Sequence, residues 1–504
     1  MKGLPLSHPP SHDYRTEVSS AASFRRSLFV LFSICLVSAC FGPISSPASS
    51  LDLIRVDTLS ELWKEVLWRV RPLPKDPMER ALRLMERSKV IDGHVDLPIL
   101  GRWYFANQIN DPDFDLRKET KGQVDIPRLR EGKVGGFFWS VFVPCPEDDG
   151  YPSENDGNFT SPSFRVRDTI EQIDTARLLI DKYSDVFDLS ETANDWRRAM
   201  KKGKIGGMLG VEGGHQLGSS LSTLRAYHAL GVRYVTLTHS CNSPLADSSY
   251  FLPDRIPIRW NGVSPFGYAA IAEMNRLGIM VDVSHTHPKS ASDALSASKA
   301  PVIFSHSNAR GVHPVVRNVP DSILRRIGNL DPRRRGSYNL SEDGEQGQGW
   351  GATTGEDELD IPGGDAIVML NFSPGFVSEF DDGSNGGGKR ADVKAMADHA
   401  DYIGKLAGRD KVGLGSDFDG ITAVPEGLED VSKYPNLVAE LISRGWSDKE
   451  ILGFTSGNII RILEKVEAVS RSLKHAKPRT DVFEGRTDLV KHDSPPGLLA
   501  KEDL

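Results

Sequence analysis

From about residue 76 onward, short apolar runs alternate with longer amphipathic stretches. The runs fall at 90–92, 136–143, 205–211, 232–238, 279–284, 301–305, 366–372 and 411–416. They are near-continuous rather than alternating, the pattern of strands buried on both faces of a parallel sheet. Between most of them, apolar residues recur at helical spacing. Ile170, Ile173, Ala176 and Leu179 do so within 165–187, and 220–230, 265–277, 290–298, 320–327 and 393–407 follow, with 436–444 and 448–472 closing the series. Eight strand candidates interleaved with helices predict an α/β fold, a (β/α)8 barrel of the TIM type. A doubly wound open sheet is the second choice. It lacks its fingerprint, because no Gly-x-Gly-x-x-Gly follows the first run.

Segments outside this rhythm set the domain limits. The barrel domain is expected over 76–475, with an inserted Gly- and Arg-rich loop at 331–364 and a polar, flexible tail at 476–504. The tail ends without an apolar stretch, so a C-terminal lipid-anchor signal is not expected. At the other end, a polar region (1–26) precedes an apolar segment (27–43) and a stem (44–75). The apolar core, about 15 residues after Arg25-Arg26, is short for a span and suits a signal peptide or a retained signal anchor. Val37-Ser-Ala-Cys40 also resembles a bacterial lipoprotein box. All three readings put the body outside the cytosol, secreted or tethered to a membrane through its N-terminal segment. The sequons at Asn158 and Asn339 fit a glycosylated surface there. A third, at Asn371, ends an apolar strand, a poor place for a sugar.

Composition narrows the classes of partner. The 504 residues are 39% hydrophobic and 26% charged, which allows a large core. The net charge of −8, with no basic stripe beyond Arg333-Arg334-Arg335 in the loop, argues against a nucleic-acid partner. Two of the four cysteines, Cys145 and Cys241, lie in the body. One bridge or two buried thiols are both open on this count.

The chemistry concentrates where the runs end. The first ends at His94 and Asp96, the third at Glu212 with His215 beyond, and the fourth at His239. The fifth ends at His285, the sixth at His306, and the eighth at Asp417 and Asp419. An H-x-D step on a strand aims both side chains to one side. In a barrel the C-terminal strand ends converge on one mouth. Any one of these could be a turn or cap residue. Six endings of this kind together are not explained by packing, since charged groups are costly to bury unless paired or metal-bound. Three His, one Asp and a shared Glu exceed the needs of one tetrahedral zinc and suit two metals bridged by a carboxylate. A hydroxide held between two metals hydrolyses an amide or a similar bond. Neither Gly-x-Ser-x-Gly nor His-Glu-x-x-His offers another hydrolytic route.

These residues, with their surroundings, resemble the membrane dipeptidases (renal dipeptidase type), a branch of the metal-dependent amidohydrolase barrels. The likeness runs from about Arg80 to Ser472. It rests on Ile91-Asp-Gly-His-Val-Asp-Leu-Pro98, Phe138-Trp-Ser-Val-Phe-Val-Pro-Cys145, Gly210-Val-Glu-Gly-Gly-His215, Tyr234-Val-Thr-Leu-Thr-His-Ser-Cys-Asn242, Val281-Asp-Val-Ser-His285, Val302-Ile-Phe-Ser-His-Ser307, Arg317-Asn-Val-Pro320, Gly415-Ser-Asp-Phe-Asp-Gly420 and Pro425-Glu-Gly-Leu-Glu-Asp430.

The resemblance implies two Zn2+ ions per chain. His94, Asp96 and bridging Glu212 would hold one, and Glu212, His285 and His306 the other. His239 would contact the substrate carbonyl, Arg317 would pair with a dipeptide's C-terminal carboxylate, and Asp417, rather than Asp419, would shuttle the proton. It also implies a Cys145–Cys241 disulfide, dipeptide substrates and a homodimer. Leu245 stands where the family usually has Trp, which implies an altered pocket wall. Two other readings fit the same barrel: hydrolysis of another amide (a β-lactam, an N-acyl amino acid or a Cys-Gly conjugate), or a tethered binding protein without catalysis.

Overall fold

Among the described residues nine parallel strands form one sheet: β1 (Val90–Val95), β2 (Val134–Val141), β3 (Phe187–Leu189), β4 (Ile205–Glu212), β5 (Val232–Thr236), β6 (Met280–Asp282), β7 (Val302–Phe304), β8 (Ala366–Leu370) and β9 (Val412–Leu414). The computed structural model describes residues 72–145, 159–160, 164–249, 257–328, 365–379, 391–486 and 488–489. The apolar N-terminal segment, nearly all of the stem, Asn158, Asn339, the 331–364 loop and the tail from 490 lie outside them. No helix among the described residues is long and apolar enough to cross a membrane.

The strand order β2-β1-β9-β8-β7-β6-β5-β4 closes on itself, because β2 also pairs with β4, from Gly136 opposite Gly206 to Val141 opposite Val211. The result is an eight-strand parallel barrel with helices between strands, the expected (β/α)8 architecture. All eight residues of β4 are buried, as a strand covered on both faces requires. Inside, Ile91, Phe138, Met208, Tyr234, Met280, Ile303 and Ile367 pack with Ile459, Ile462 and Val466 of the helix Asn458–Ser472. Helices start where a side chain satisfies the first amides. Asp125 accepts from the Arg128 N–H, Thr192 from Asp195 and Ser264 from Gly267.

The structure departs from the sequence reading in two places. The stretch expected as one helix over 165–187 ends at Lys182, and Phe187–Leu189 forms β3 against Ile205–Gly207. Three residues carry too little period to announce a strand, and here the partner decides. The single helix expected over 448–472 is two, Asp448–Leu452 and Asn458–Ser472, joined by a π-helical turn at Gly453–Gly457. The Thr455 hydroxyl donates to Ser88 Oγ, tying that turn to the approach to β1.

Cys145, after β2, and Cys241, after β5, form a disulfide across 96 residues of sequence. Cys241 lies two residues beyond His239, so the bridge pins the loop that carries that imidazole. By chain entropy a loop of this size is worth about 4–5 kcal/mol. The double replacement Cys145→Ser with Cys241→Ser is expected to lower the free energy of unfolding by a matching amount, measured from urea titrations followed by circular dichroism against the unreduced parent.

Candidate metal centre

The strand ends meet at one mouth. His94 is the fifth residue of β1 and Asp96 follows the strand; Glu212 is the last residue of β4. His239 follows β5, His285 β6, His306 β7, and Asp417 β9. His285, Asp417 and Asp419 hold left-handed backbone (φ 62°, 69° and 68°), which turns the chain sharply as it leaves its strand. Gly420 permits the turn after Asp417. A Cβ there would lie 2.3 Å from Asp96 Oδ2 and 2.8 Å from Asp417 Oδ1.

Glu212 is the hub. Its Oε2 lies 3.4 Å from His94 Nε2, and its Oε1 lies 3.2 Å from His285 Nε2 and 3.3 Å from His306 Nε2. The two carboxylate oxygens thus face different histidines. His94 Nε2 is also 3.3 Å from Asp96 Oδ2 and 3.9 Å from Asp417 Oδ1. His285 and His306 bring their Nε2 atoms within 2.8 Å of each other. His239 Nε2 stands 3.7 Å from Glu212 Oε1. The ligand atoms of three trios fall within 4.8 Å of one another: His94, Glu212 and His306; Glu212, His239 and His285; and His94, Asp96 and Asp417.

A surrounding layer fixes these groups. The Ser140 hydroxyl donates to Glu212 Oε2 (3.2 Å). The Asn371 amide donates to Asp417 Oδ2 (2.9 Å), leaving Oδ1 on the His94 side. Ser305 Oγ lies 2.7 Å from His306 Nδ1, and Tyr234 Oη 3.5 Å from His94 Nδ1. The Tyr234 ring passes over Gly210 so closely that a Cβ there would lie 1.7 Å from it. Buried Arg317 donates from one nitrogen to Ser307 Oγ (2.8 Å) and from another to the His306 carbonyl (2.9 Å), which sets the plane of its guanidinium.

Electrostatics favour a cation here. Burial, with the charge of Arg317 and of neighbouring imidazoles, holds His239, His285 and His306 well below the usual histidine range. They are therefore neutral, the form in which histidine ligates metals. Burial would lower His94 too, but Glu212 and Asp96 outweigh it and raise His94. Burial pushes Glu212 up against the pull of His94. Asp417 is pushed up to about 8 by burial; His94 opposes the shift, and Asp96 and Glu212 add to it. Crowded acids that resist ionising together are the signature of a place where a divalent ion would restore the charge. His94 Nε2 and Asp96 Oδ1 are buried yet make no hydrogen bond among the described residues. Such atoms are costly unless something binds them, so the donor set of imidazole nitrogen and carboxylate oxygen fits a divalent metal.

The remaining sequence-level candidates fall outside the cluster. His215 Nε2 meets the Val143 carbonyl (2.9 Å) beside the disulfide. Asp419 clasps Gln123: its Oδ1 accepts the Gln123 N–H (2.6 Å) and its own N–H donates to Gln123 Oε1 (2.7 Å). Leu245, expected to alter a pocket wall, is fully buried, its Cδ1 2.8 Å from where a Gly214 Cβ would stand. A wall side chain needs an open face, and Leu245 has none. Asn371 is buried against Asp417, so its sequon marks a site residue and not a sugar. Sequence reasoning passed over Asp92 and Asp282, both fully buried. The signal was present, since a carboxylate inside an apolar run must be satisfied by something.

Comparison with known proteins agrees with this picture. The chain matches the model of a family described as membrane dipeptidase (peptidase family M19) over residues 78–331 and 357–477. It is 38% identical over 411 residues to dipeptidase aclJ of Aspergillus oryzae, covering 81% of this chain and 85% of that one. In fold it is similar to the probable dipeptidase PvdM from Pseudomonas aeruginosa, at 22% identity and TM-score 0.63, covering 79% of this chain and 100% of that one. It is also similar to a metallo peptidase from Rhodobacter sphaeroides solved with a phosphinate mimic of the dipeptide L-Ala-D-Ala. That likeness has 25% identity and TM-score 0.56, covering 75% of this chain and 99% of that one.

A cation that binds only the folded state stabilises it by mass action, about 4 kcal/mol at a thousandfold excess over its Kd. Dialysis against a chelator is therefore expected to lower the melting temperature, and added zinc to restore it, in a calorimetric scan. A melting temperature indifferent to both would contradict metal binding.

Proposed function

Starting from the chain's membership of the membrane dipeptidase family, as a metallo-dipeptidase, we propose that it binds two zinc ions and cleaves dipeptides bearing a free C-terminal carboxylate. The observation that carries this is the division of Glu212, one oxygen toward His94 and the other toward His285 and His306. His94, Asp96 and Glu212 would hold one ion, and Glu212, His285 and His306 the other. When bound, the ions supply an acidified water and Lewis-acid polarisation of the scissile carbonyl.

The chain's own residues do the rest. Arg317, held by Ser307 and the His306 carbonyl, takes the substrate carboxylate and sets the register. His239, neutral, turns Nε2 to the site; Ser240 Oγ, 3.0 Å from Nδ1, can donate there and leave the proton on Nε2. That N–H stabilises charge developing on the carbonyl oxygen. Asp417, aimed by Asn371, accepts the water's proton at Oδ1 and returns it to the leaving amine. Burial and neighbouring acids suit it to holding that proton. A secreted or N-terminally tethered protein, sugars on Asn158 and Asn339, and a homodimer complete the proposal. They rest on the 27–43 segment, the sequons and the family resemblance.

A substrate panel tests this reading. Dipeptides are expected to turn over, while tripeptides, dipeptide amides and N-blocked dipeptides fall at least tenfold behind in kcat/KM. Tripeptide turnover equal to that of dipeptides would refute it, and a preference for a β-lactam or an N-acyl amino acid would favour the other amidohydrolase reading.

Arg317→Ala is expected to cost about 10²- to 10³-fold in kcat/KM, near 3–4 kcal/mol. Most of the loss should appear in KM, and the preference for acid over amide should vanish. Arg317→Lys keeps the charge but not the fork and should retain part of that preference. Discrimination between acid and amide surviving in Arg317→Ala would remove Arg317 from the role.

A further inference from the structure

Two residues outside the ligand set reach a ligand ring in series. Asp282, the last residue of β6, is fully buried and accepts four hydrogen bonds. Its Oδ1 takes the backbone N–H groups of Ser284 and Ser305, each at 3.0 Å. Its Oδ2 takes the hydroxyls of Thr236 (2.6 Å) and Ser305 (2.7 Å). A serine hydroxyl has one proton. Ser305 commits it to the carboxylate at 2.7 Å rather than to Ser284 Oγ at 3.3 Å. Toward His306 Nδ1, 2.7 Å away, Ser305 Oγ can then only accept. The proton of His306 sits on Nδ1, and Nε2 is left as a bare lone pair facing Glu212 Oε1 and His285 Nε2. His306 is fully buried.

We propose that Asp282, acting through Ser305, is a positioning residue that locks His306 in the tautomer able to ligate a metal. Backbone amides occupy one oxygen of Asp282 and hydroxyls the other, so its orientation is fixed. The proposal makes a directional prediction for Asp282→Asn. The amide oxygen must take the Oδ1 place, where two N–H groups point at it. The NH2 then faces Ser305 and donates, Ser305 turns its proton to His306 Nδ1, and the ring proton moves to Nε2. The shape is kept and the lone pair is lost, the logic by which an Asp→Asn change mis-sets a catalytic histidine elsewhere.

The inference rests on the two-ion reading above, and the test separates the two. Full-length parent, Asp282→Asn, Ser305→Ala and Thr236→Val proteins are stripped of metal and titrated with zinc against a chromophoric chelator. Imidazole nitrogen shifts of the metal-free proteins are recorded by ¹⁵N NMR. In the parent, His306 should show a protonated Nδ1; in Asp282→Asn, a protonated Nε2. Asp282→Asn and Ser305→Ala should bind the zinc assigned to Glu212, His285 and His306 about 10- to 100-fold less tightly. Thr236→Val removes a bond to the same carboxylate but leaves the relay, so it should keep the parent's tautomer and affinity. Parent-like tautomer and zinc affinity in Asp282→Asn, or a loss in Thr236→Val equal to that in Ser305→Ala, would overturn the proposal. If the parent takes up no zinc, the metal reading fails, and the nitrogen shifts still decide the tautomer.

Discussion

The structure turns on a buried carboxylate that is asked to serve two sides. Glu212 ends a strand with no exposed position, and its two oxygens face imidazoles from opposite parts of the barrel. Its surroundings hold two more acids, Asp96 and Asp417, within reach of His94. Such a cluster costs several kcal/mol to bury unless opposite charge joins it. Against these three acids the barrel sets Arg317 and His94, which the acids raise, while His239, His285 and His306 stay neutral. Everything else at the mouth can be understood as holding that imbalance in place for a cation to meet.

The means of holding it is repeated. Asp92, in the middle of β1, and Asp282, at the end of β6, are both buried and each accept the amide two residues on. Each also takes both the amide and the hydroxyl of a serine that follows the neighbouring strand: Ser416 after β9, Ser305 after β7. Each takes a further hydroxyl, from Tyr434 and from Thr236. Both carboxylates thus staple neighbouring strands just below the ligands. The left-handed turns at Asp417 and His285, each worth a kcal/mol or more of strain, are affordable only on such a base. They are secured further by Asp417 N–H donating to the His94 carbonyl and Ser249 N–H to that of His285.

Much of this was legible beforehand, for a physical reason. Buried parallel strands write long apolar runs, and residues such as His94, Glu212 and His306 stand out at their ends because packing does not ask for them. What was hidden depends on partners distant in sequence. β3 exists through its pairing with Ile205–Gly207. The end of an apolar strand argues against a sugar on Asn371, but its role beside Asp417 depends on a contact 46 residues away in sequence. Asp419 and Asp417 share a motif, and partners distant in sequence distinguish them: Gln123 holds Asp419, whereas Asn371 holds Asp417 beside His94. The position of Leu245 in its motif says nothing of its burial, which its tertiary neighbours decide.

The coupling of Arg317 to His306 bears on why a barrel of this kind reads short peptides. Arg317 donates to the carbonyl of the same residue whose Nε2 faces Glu212. Its second anchor, Ser307, is the next residue in the chain. On the proposed reading, the group that takes the carboxylate is hydrogen-bonded to the same strand end that carries the group helping to hold the reacting centre. The span between them cannot stretch by a residue without breaking β7 or the Asp282 staple. A ruler built into covalent chain and buried hydrogen bonds measures more firmly than one built across mobile loops. That rigidity would make the distance from scissile bond to C-terminus, rather than side-chain identity, the first thing the mouth selects.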